Sequence, residues 1–182
     1  MAEVFLRRLT RWQAETQRES VADLYVAAHR GPPADDAPGR AEFLRRFAER
    51  DVQRPGFEMV IGSSPALVGC CYGYPADRDG DWCRDLPGQV PAELREPAAA
   101  GRLFIIAELM VLPGHRRTRV ATRLQETLLI RSNAVVAVVL IAPDNGPARA
   151  AFRSWGWQPA TGEATRGSGD GTQQEVWSRS LR

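Results

Sequence analysis

Residues 103–124 read LFIIAELMVLPGHRRTRVATRL, and this stretch decides the fold of the chain. The apolar run that opens it is long enough for a buried strand, and it stops at Pro113. After a short basic turn, apolar residues return with the spacing of a helix face at Val120, Ala121, Leu124 and Leu128. The pattern therefore predicts a buried strand that leads directly into a helix.

The junction between this strand and this helix is a candidate anion site. The first turn of a helix presents N–H groups that have no partner within the helix, and the helix dipole adds partial positive charge there. Arg116, Arg117 and Arg119 lie in the same turn. Phosphate groups bind readily at such helix N-termini. The junction therefore predicts a phosphorylated ligand.

This turn resembles motif A of the GCN5-related N-acetyltransferases (GNAT family), in which loop amides hold the pyrophosphate of acetyl-CoA. The family pattern is roughly V-x-P-x-x-[RQ]-x-x-G-x-[GA], and Val111, Pro113, Arg116 and Ala121 match it. One position departs, because Arg119 stands where the family has a glycine. A side chain there either crowds the ligand or pairs with a phosphate oxygen, and the sequence leaves both open. The resemblance implies cofactor contacts at Met110, Val111, Arg116, Arg117, Thr118, Arg119, Val120 and Ala121.

A second match, to motif B of the same family, lies downstream in the stretch AVVAVVLIAPDNGPARAAFRSWGW. It is typical of a buried strand, a turn and a short helix that stops at Gly156. In the family an asparagine after the strand contacts the cofactor arm, and Asn145 occupies that place. Phe152 falls where many members have a tyrosine that protonates the leaving thiolate, and phenylalanine has no proton to give. The resemblance implies that Asn145 and Phe152 lie at the cofactor.

The two motifs and their surroundings predict an α/β (α+β) fold, with a single N-acetyltransferase domain over residues 1–182. The resemblance implies a sheet that is mixed, mostly antiparallel, flanked by helices and splayed between strands four and five. An insertion over residues 75–102, rich in Asp, Pro and Gly, is predicted to be a loop and a candidate lid. The other predicted elements are strands at 3–9, 57–62, 66–74, 134–142, 157–165 and 174–182, and helices at 16–30 and 40–53.

Glu108 is the first candidate catalytic residue, because it stands inside an otherwise apolar strand. A carboxylate in a central strand is costly unless it is paired or hydrogen-bonded. It is either a general base for an incoming ammonium, with a pKa raised by burial, or a structural partner for an arginine or a loop amide. Tyr72 and Tyr74 alternate along the predicted third strand. Either one is a candidate general acid in place of Phe152, and aromatic packing is the competing role.

Composition narrows the classes of partner. Hydrophobic content of 43% and charged content of 25% are ordinary for a globular domain of 182 residues. A net charge of +2 is too small to indicate nucleic acid or a membrane surface, and all 24 basic residues are arginine. The apolar runs are too short to span a bilayer. Three cysteines without metal-ligand spacing and an N-terminus unlike a signal peptide favour a cytoplasmic location.

The resemblance implies an enzyme, an acyltransferase that moves an acetyl group from acetyl-CoA to a primary amine, expected to belong to a small molecule. Acetyl-CoA is the co-substrate, no metal is implied, and a homodimer is a further expectation. The departures at Arg119 and Phe152 leave an alternative open. A degenerate member of the fold would bind another ligand or a partner, or run a non-acetylating reaction in the former cofactor cleft.

Overall fold

The computed structural model describes residues 2–29, 39–78, 90–160 and 174–182. Within these residues the strands are β1 (Phe5–Leu9), β2 (Glu58–Ser63), β3 (Leu67–Pro75), β4 (Leu103–Val111), β5 (Val136–Ile141), β6 (Gln158–Pro159) and β7 (Glu175–Ser180). The α-helices are α1 (Arg11–Thr16), α2 (Arg18–Ala28), α3 (Arg40–Arg46), α4 (Ala92–Ala99), α5 (Val120–Leu129) and α6 (Gly146–Ser154). A π-helical turn covers Phe47–Asp51, and a 3-10 turn covers Pro113–His115.

The strands form one mixed sheet in the order β1-β2-β3-β4-β5-β7-β6. The pairs β1/β2, β2/β3, β5/β7 and β6/β7 are antiparallel, whereas β4 and β5 are parallel. The parallel register joins Leu103–Ile105 to Val136–Val138, and β4 continues beyond it to Val111. The predicted mixed and mostly antiparallel sheet flanked by helices is therefore confirmed.

Two compact units divide the chain. The first contains residues 1–74 and 107–131, and the second contains residues 75–106 and 132–182. The assignment of residues 1–182 to one domain stays a prediction beside this division.

The core of the first unit contains a column of aromatic rings. Tyr25 of α2 stacks on Phe43 of α3 at 4.2 Å between ring centroids, and Phe43 stacks on Phe47 at 5.9 Å. Phe47 meets Tyr72 of β3 edge-on at 5.2 Å. Such aromatic pairs add to the hydrophobic stabilisation of the buried surface. They fix α3 and the π turn, which carry two charged residues of the candidate site described below.

The insertion at 75–102 differs from the prediction, because α4 occupies its last third. Leu94 and Ala98, four residues apart on one helix face, pack in a cluster with Leu103 of β4. The helix forms although it contains Pro97, a residue that usually breaks a helix interior. The prediction of a loop is wrong over Ala92–Ala99. Residues 79–89 lie outside the described residues, so the lid stays a prediction.

Smaller corrections concern the bounds of the predicted helices and strands. The predicted helix at 16–30 corresponds to α2, which begins at Arg18 and ends at Ala28, and α1 over Arg11–Thr16 precedes it as a helix not predicted from the sequence. The predicted helix at 40–53 is α-helical only to Arg46 and continues as the π turn. Of the predicted closing strand pair, 161–173 lie outside the described residues.

Across the described part of the chain, no helix is both long enough and apolar enough to cross a membrane.

Candidate active site

The turn after β4 forms an open helix N-terminus. The first hydrogen bond of α5 runs from the Arg123 N–H to the Arg119 carbonyl at 3.0 Å. Among the described residues no side chain caps this helix, and its first turn contains no acidic residue. The N–H groups of that turn are therefore left without helical partners, and no carboxylate competes with an anion for them.

The loop that precedes α5 has left-handed backbone at two arginines. Arg117 has φ 61° and Arg119 has φ 64°, a region that residues other than glycine enter at a cost of roughly 1–2 kcal/mol. Arg119 occupies the position where the motif has glycine, and its backbone adopts a conformation that glycine reaches freely. The turn therefore has a backbone suited to glycine and carries an exposed arginine side chain in its place.

Two other loop residues are used within the turn itself. Arg116 donates from Nε to the Val111 carbonyl at 3.2 Å and from Nη2 to the Ala28 carbonyl at 2.5 Å. Thr118 donates from its hydroxyl to the His115 carbonyl at 2.5 Å. These bonds tie the loop to the end of β4 and to the end of α2. The predicted cofactor contacts of Arg116 and Thr118 therefore stay predictions, beside a clear structural role for both side chains.

The remaining predicted cofactor residues of this region lie at the two ends of the turn. The side chains of Met110, Val111 and Val120 are buried, and that of Ala121 is half-buried. A ligand at this turn would therefore contact the backbone N–H and carbonyl groups of these residues and not their side chains. Gly69 on β3 lies so close that a Cβ there would be 2.9 Å from the Met110 carbonyl oxygen. This close approach fixes the position of the β4 backbone from one side.

Glu108 lies in a cluster of charges within the first unit. Its Oε2 lies 3.3 Å from Nη2 of Arg46, which comes from α3. The same guanidinium lies 3.8 Å, measured from Nε, from Oδ2 of Asp51 on the π turn. Asp51 in turn accepts a hydrogen bond from the hydroxyl of Tyr72 at 3.3 Å. One arginine therefore lies between two carboxylates.

The electrostatics of the cluster make Glu108 suitable for proton transfer near neutral pH. Burial raises the pKa of Glu108 to about 7, against the lowering effect of Arg46 and with a smaller raising effect of Asp51. The side chain is still 18% exposed, so it is not sealed from solvent. Burial also raises the pKa of Asp51, which Arg46 and Arg50 oppose. A carboxyl with a pKa near 7 is half ionised at neutral pH, as a general base requires.

Tyr72 and Tyr74 are both buried. Burial, together with the negative charges of Glu108 and Asp51, holds the pKa of Tyr72 well above its usual value. Burial is also the main cause of the raised pKa of Tyr74, whose ring lies under the Arg54 guanidinium at 5.4 Å. The ring of Tyr72 packs against Phe47, which favours the structural role for this residue, whereas the ring of Tyr74 contacts a guanidinium. The general acid stays a prediction.

Two predicted site residues belong to the second unit. Asn145 caps α6, since its Oδ1 accepts a hydrogen bond from the Ala148 N–H at 3.1 Å. Phe152 is buried and meets Trp155 and Trp157 edge-on at 5.1 Å and 5.3 Å. Both residues therefore have a role in their own unit, and their cofactor contacts stay predictions.

Arg46 and Asp51 are charged members of the cluster that sequence reasoning missed. The side chain of Arg46 is only 33% exposed and reaches Glu108, although an arginine on a surface helix is usually solvated. Asp51 is almost fully buried, at 3% exposure. A buried carboxylate needs a partner, yet nothing in the sequence marks Asp51 as buried. Its position follows from the π turn.

Comparison with solved structures places the fold. An acetyltransferase of the GNAT family from Staphylococcus aureus Mu50 aligns with TM-score 0.67 at 8% identity, over 99% of this chain and 100% of that chain. The ribosomal-protein-S18-alanine N-acetyltransferase of Escherichia coli aligns with TM-score 0.62 at 12% identity, over 98% and 94%. The PaiA N-acetyltransferase of Thermoplasma acidophilum, in complex with coenzyme A, aligns with TM-score 0.61 at 9% identity, over 98% and 99%.

These similarities show that the chain has the fold of the GNAT acetyltransferases, as the two motifs predict. No protein-family model and no curated protein sequence matches the chain. At such low identity the solved structures establish the fold, and the function is argued from the site.

Proposed function

We propose that this protein is an acetyl-CoA-dependent N-acetyltransferase that acts on a primary amine of a small molecule. The observation that carries the proposal is the position of the Glu108 carboxyl group, which lies 3.3 Å from Arg46 and on the strand that ends at an uncapped, basic helix N-terminus. Burial, which raises the pKa of Glu108 to about 7, supports it. Acetyl transfer from acetyl-CoA needs a site that binds the phosphates of the donor and a base that deprotonates the ammonium of the acceptor. One strand–turn–helix unit provides candidates for both. The fold shared with N-acetyltransferases supports the same reaction.

The donor set of the turn fits the pyrophosphate of acetyl-CoA. The open N–H groups at the start of α5 suit phosphate oxygens, and the exposed side chains of Arg117 and Arg119 add positive charge. The backbone of Met110 and Val111 is the proposed partner of the pantetheine amides. The solved complex of PaiA N-acetyltransferase with coenzyme A supports a ligand of this type. Bound acetyl-CoA would supply the acetyl group.

Glu108 is the proposed general base. A primary amine is mostly an ammonium at neutral pH and cannot attack a carbonyl until it loses a proton. The Glu108 carboxylate takes that proton, directly or through one water molecule, and the neutral amine is then the nucleophile. Positioning the two substrates together supplies much of the rate, so activity does not depend on a tyrosine at Phe152.

One observation favours the degenerate alternative. Phe152 contacts two tryptophan rings and offers no hydroxyl to the leaving thiolate. A protein of this kind would use the same turn to bind a phosphorylated ligand without acetyl transfer. The cytoplasmic location and the homodimer also stay predictions.

The test measures the release of free coenzyme A from acetyl-CoA in the presence of a panel of amines. A thiol reagent detects the coenzyme A that is released. The panel contains small-molecule amines and peptides with a free N-terminus, because the Escherichia coli neighbour is named for an alanine of a ribosomal protein. Amine-dependent thiol release is the expected result. Acetyl-CoA binding without thiol release from any amine would support the degenerate alternative.

A further inference from the structure

The Arg46 side chain is held on several sides. Its Nη2 lies 3.3 Å from Glu108 and its Nε lies 3.8 Å from Asp51, while its guanidinium carbon lies 5.5 Å from the centre of the Phe43 ring. Contacts with two carboxylates and an aromatic face leave the guanidinium little freedom to rotate. Glu108 thus meets a cation whose position is fixed by other residues.

The π turn explains how Arg46 and Asp51 come to share this place. In an α-helix, residues five apart point about 140° away from each other around the axis. Here the Val52 N–H bonds to the Phe47 carbonyl at 3.0 Å, which is a bond over five residues and widens the turn. The wider turn brings residues five apart towards the same side. Asp51 therefore lies beside the guanidinium of Arg46.

Asp51 is itself anchored. The Tyr72 hydroxyl donates to its Oδ2 at 3.3 Å, and Nε of Arg50 lies 3.6 Å from its Oδ1. An almost fully buried carboxylate with these partners cannot move towards solvent without leaving Tyr72 unpaired. The chain of contacts runs from β3 through Asp51 and Arg46 to the candidate base on β4.

We infer that Arg46 is a positioning residue for the Glu108 carboxylate, held in place by Asp51. The inference rests on the proposed function, since it assigns a task to Arg46 in that reaction. With Arg46 in place, Glu108 stays in one rotamer and remains ionisable near neutral pH despite its burial. Without Arg46, an uncompensated buried carboxylate would keep its proton, and the amine would lose its base.

The other groups around Glu108 are consistent with this role for Arg46. Tyr25 on α2 and Cys70, Cys71 and Tyr72 on β3 are buried, and burial raises the pKa of each of them. All four are therefore neutral near pH 7. Asp51 on the π turn is the second carboxylate. Arg46 on α3 is the cation that faces Glu108 among these groups, so its removal should have a clear effect.

The experiment is a titration of Glu108 by carbon-13 NMR, with label in the side-chain carboxyl of glutamate. The signal is assigned by its loss in Glu108→Gln. The titration midpoint is compared between the unaltered protein, Arg46→Met and Arg45→Met. Arg45 is the exposed neighbour on α3, so the control removes the same charge from the same helix. Amide spectra establish that each variant is folded.

Arg46→Met should raise the Glu108 midpoint by about one pH unit or more, as loss of an adjacent opposite charge does, and Arg45→Met should leave it in place. Arg46→Gln removes the same charge and keeps a polar side chain, so it should raise the Glu108 midpoint as well, whereas Arg45→Gln should leave it in place. This pair gives a second test even where Arg46→Met does not fold. Equal midpoints in the Arg46 variants and their Arg45 controls would overturn the inference.

The same variants separate this inference from the proposed function. In the acetyl-transfer assay, kcat/KM is measured against pH for each variant. The midpoint of its acidic limb should shift by the same amount as the Glu108 midpoint measured by NMR, while the Kd for acetyl-CoA stays unchanged. If no amine is acetylated, the proposed function fails, and the NMR midpoints alone decide the role of Arg46. If acetyl transfer occurs but the acidic limb of the kcat/KM profile is the same with and without Arg46, the inference fails and the proposed function stands.

Discussion

Arg46 and Glu108 form an ion pair at 3.3 Å although they are 62 residues apart in the chain. One lies on α3 and the other on the strand that leads into the basic turn. The pair joins the candidate base to an arginine that is held by a second, more deeply buried carboxylate, Asp51. This arrangement gives the base a fixed place and a pKa suited to neutral pH, and it leads to the predictions that follow.

Glu108→Gln should lower kcat/KM for the amine by about 10²-fold or more above neutral pH, because the amide keeps the shape and cannot accept the proton. In the unaltered protein, activity should rise with pH through about 7, where Glu108 ionises, and the variant should lack that limb. A pH–rate profile over both proteins checks this. An unchanged profile would assign Glu108 to structure.

The same substitution should change how stability depends on pH. Glu108 has a pKa of about 7 in the folded state against an ordinary value of 4.5, so the folded state holds this proton more tightly. Its contribution is present below about pH 4.5 and is lost as pH rises through about 7, by up to about 3 kcal/mol. The melting temperature of Glu108→Gln, relative to the unaltered protein, should therefore increase across that window. The exposed Glu49→Gln is the control, and an identical pH slope in all three proteins would contradict the prediction.

Arg119→Gly should stabilise the fold by up to about 1 kcal/mol, since it relieves a left-handed backbone that arginine adopts at a cost. Affinity for acetyl-CoA should fall by up to about fivefold and become less sensitive to salt, because an exposed pair with the pyrophosphate is lost. Arg119→Ala is the matched control, as it removes the charge and keeps the strain. Tighter binding by the glycine variant than by the unaltered protein would mean that Arg119 obstructs the loop.

Asn145 needs a pair of variants, because it caps α6 and is also a predicted cofactor contact. Asn145→Ala should lower stability by about 1 kcal/mol through loss of the cap, and Asn145→Ser should keep it, since serine caps equally well. If Asn145 contacts the cofactor, Asn145→Ser should still weaken acetyl-CoA binding. Calorimetry and thermal unfolding on both variants separate the roles, and full affinity in Asn145→Ser would leave only the cap.

The strand, turn and helix around residues 103–124 were predictable because they depend on local signals. The apolar run ends at Pro113, and helical spacing resumes at Val120. The left-handed backbone at Arg117 and Arg119 was not predictable, since arginine has no preference for that region. The turn connects β4 to α5, and the packing of these two elements determines the path of the backbone between them.

Other elements show where local signals mislead or were overlooked. The capping box of α1 is legible in the sequence, with Thr10 followed three residues later by Gln13, although the helix was missed. For α4, the Asp, Pro and Gly content of residues 75–102 favours a loop, although Leu94 and Ala98 have the spacing of one helix face. The cluster around Glu108 depends on packing between distant segments and on a π turn, and no short sequence pattern predicts either.

The most direct measurement is a calorimetric titration of the protein with acetyl-CoA, beside the same titration with acetyl-pantetheine, which lacks the pyrophosphate. The account predicts one acetyl-CoA per chain, much weaker binding of acetyl-pantetheine, and an affinity for acetyl-CoA that falls with salt. Acetyl-CoA at 100 times its Kd should also stabilise the protein by about 2.7 kcal/mol. No heat and no thermal shift at millimolar acetyl-CoA would contradict the central claim that the turn before α5 holds the pyrophosphate of this co-substrate.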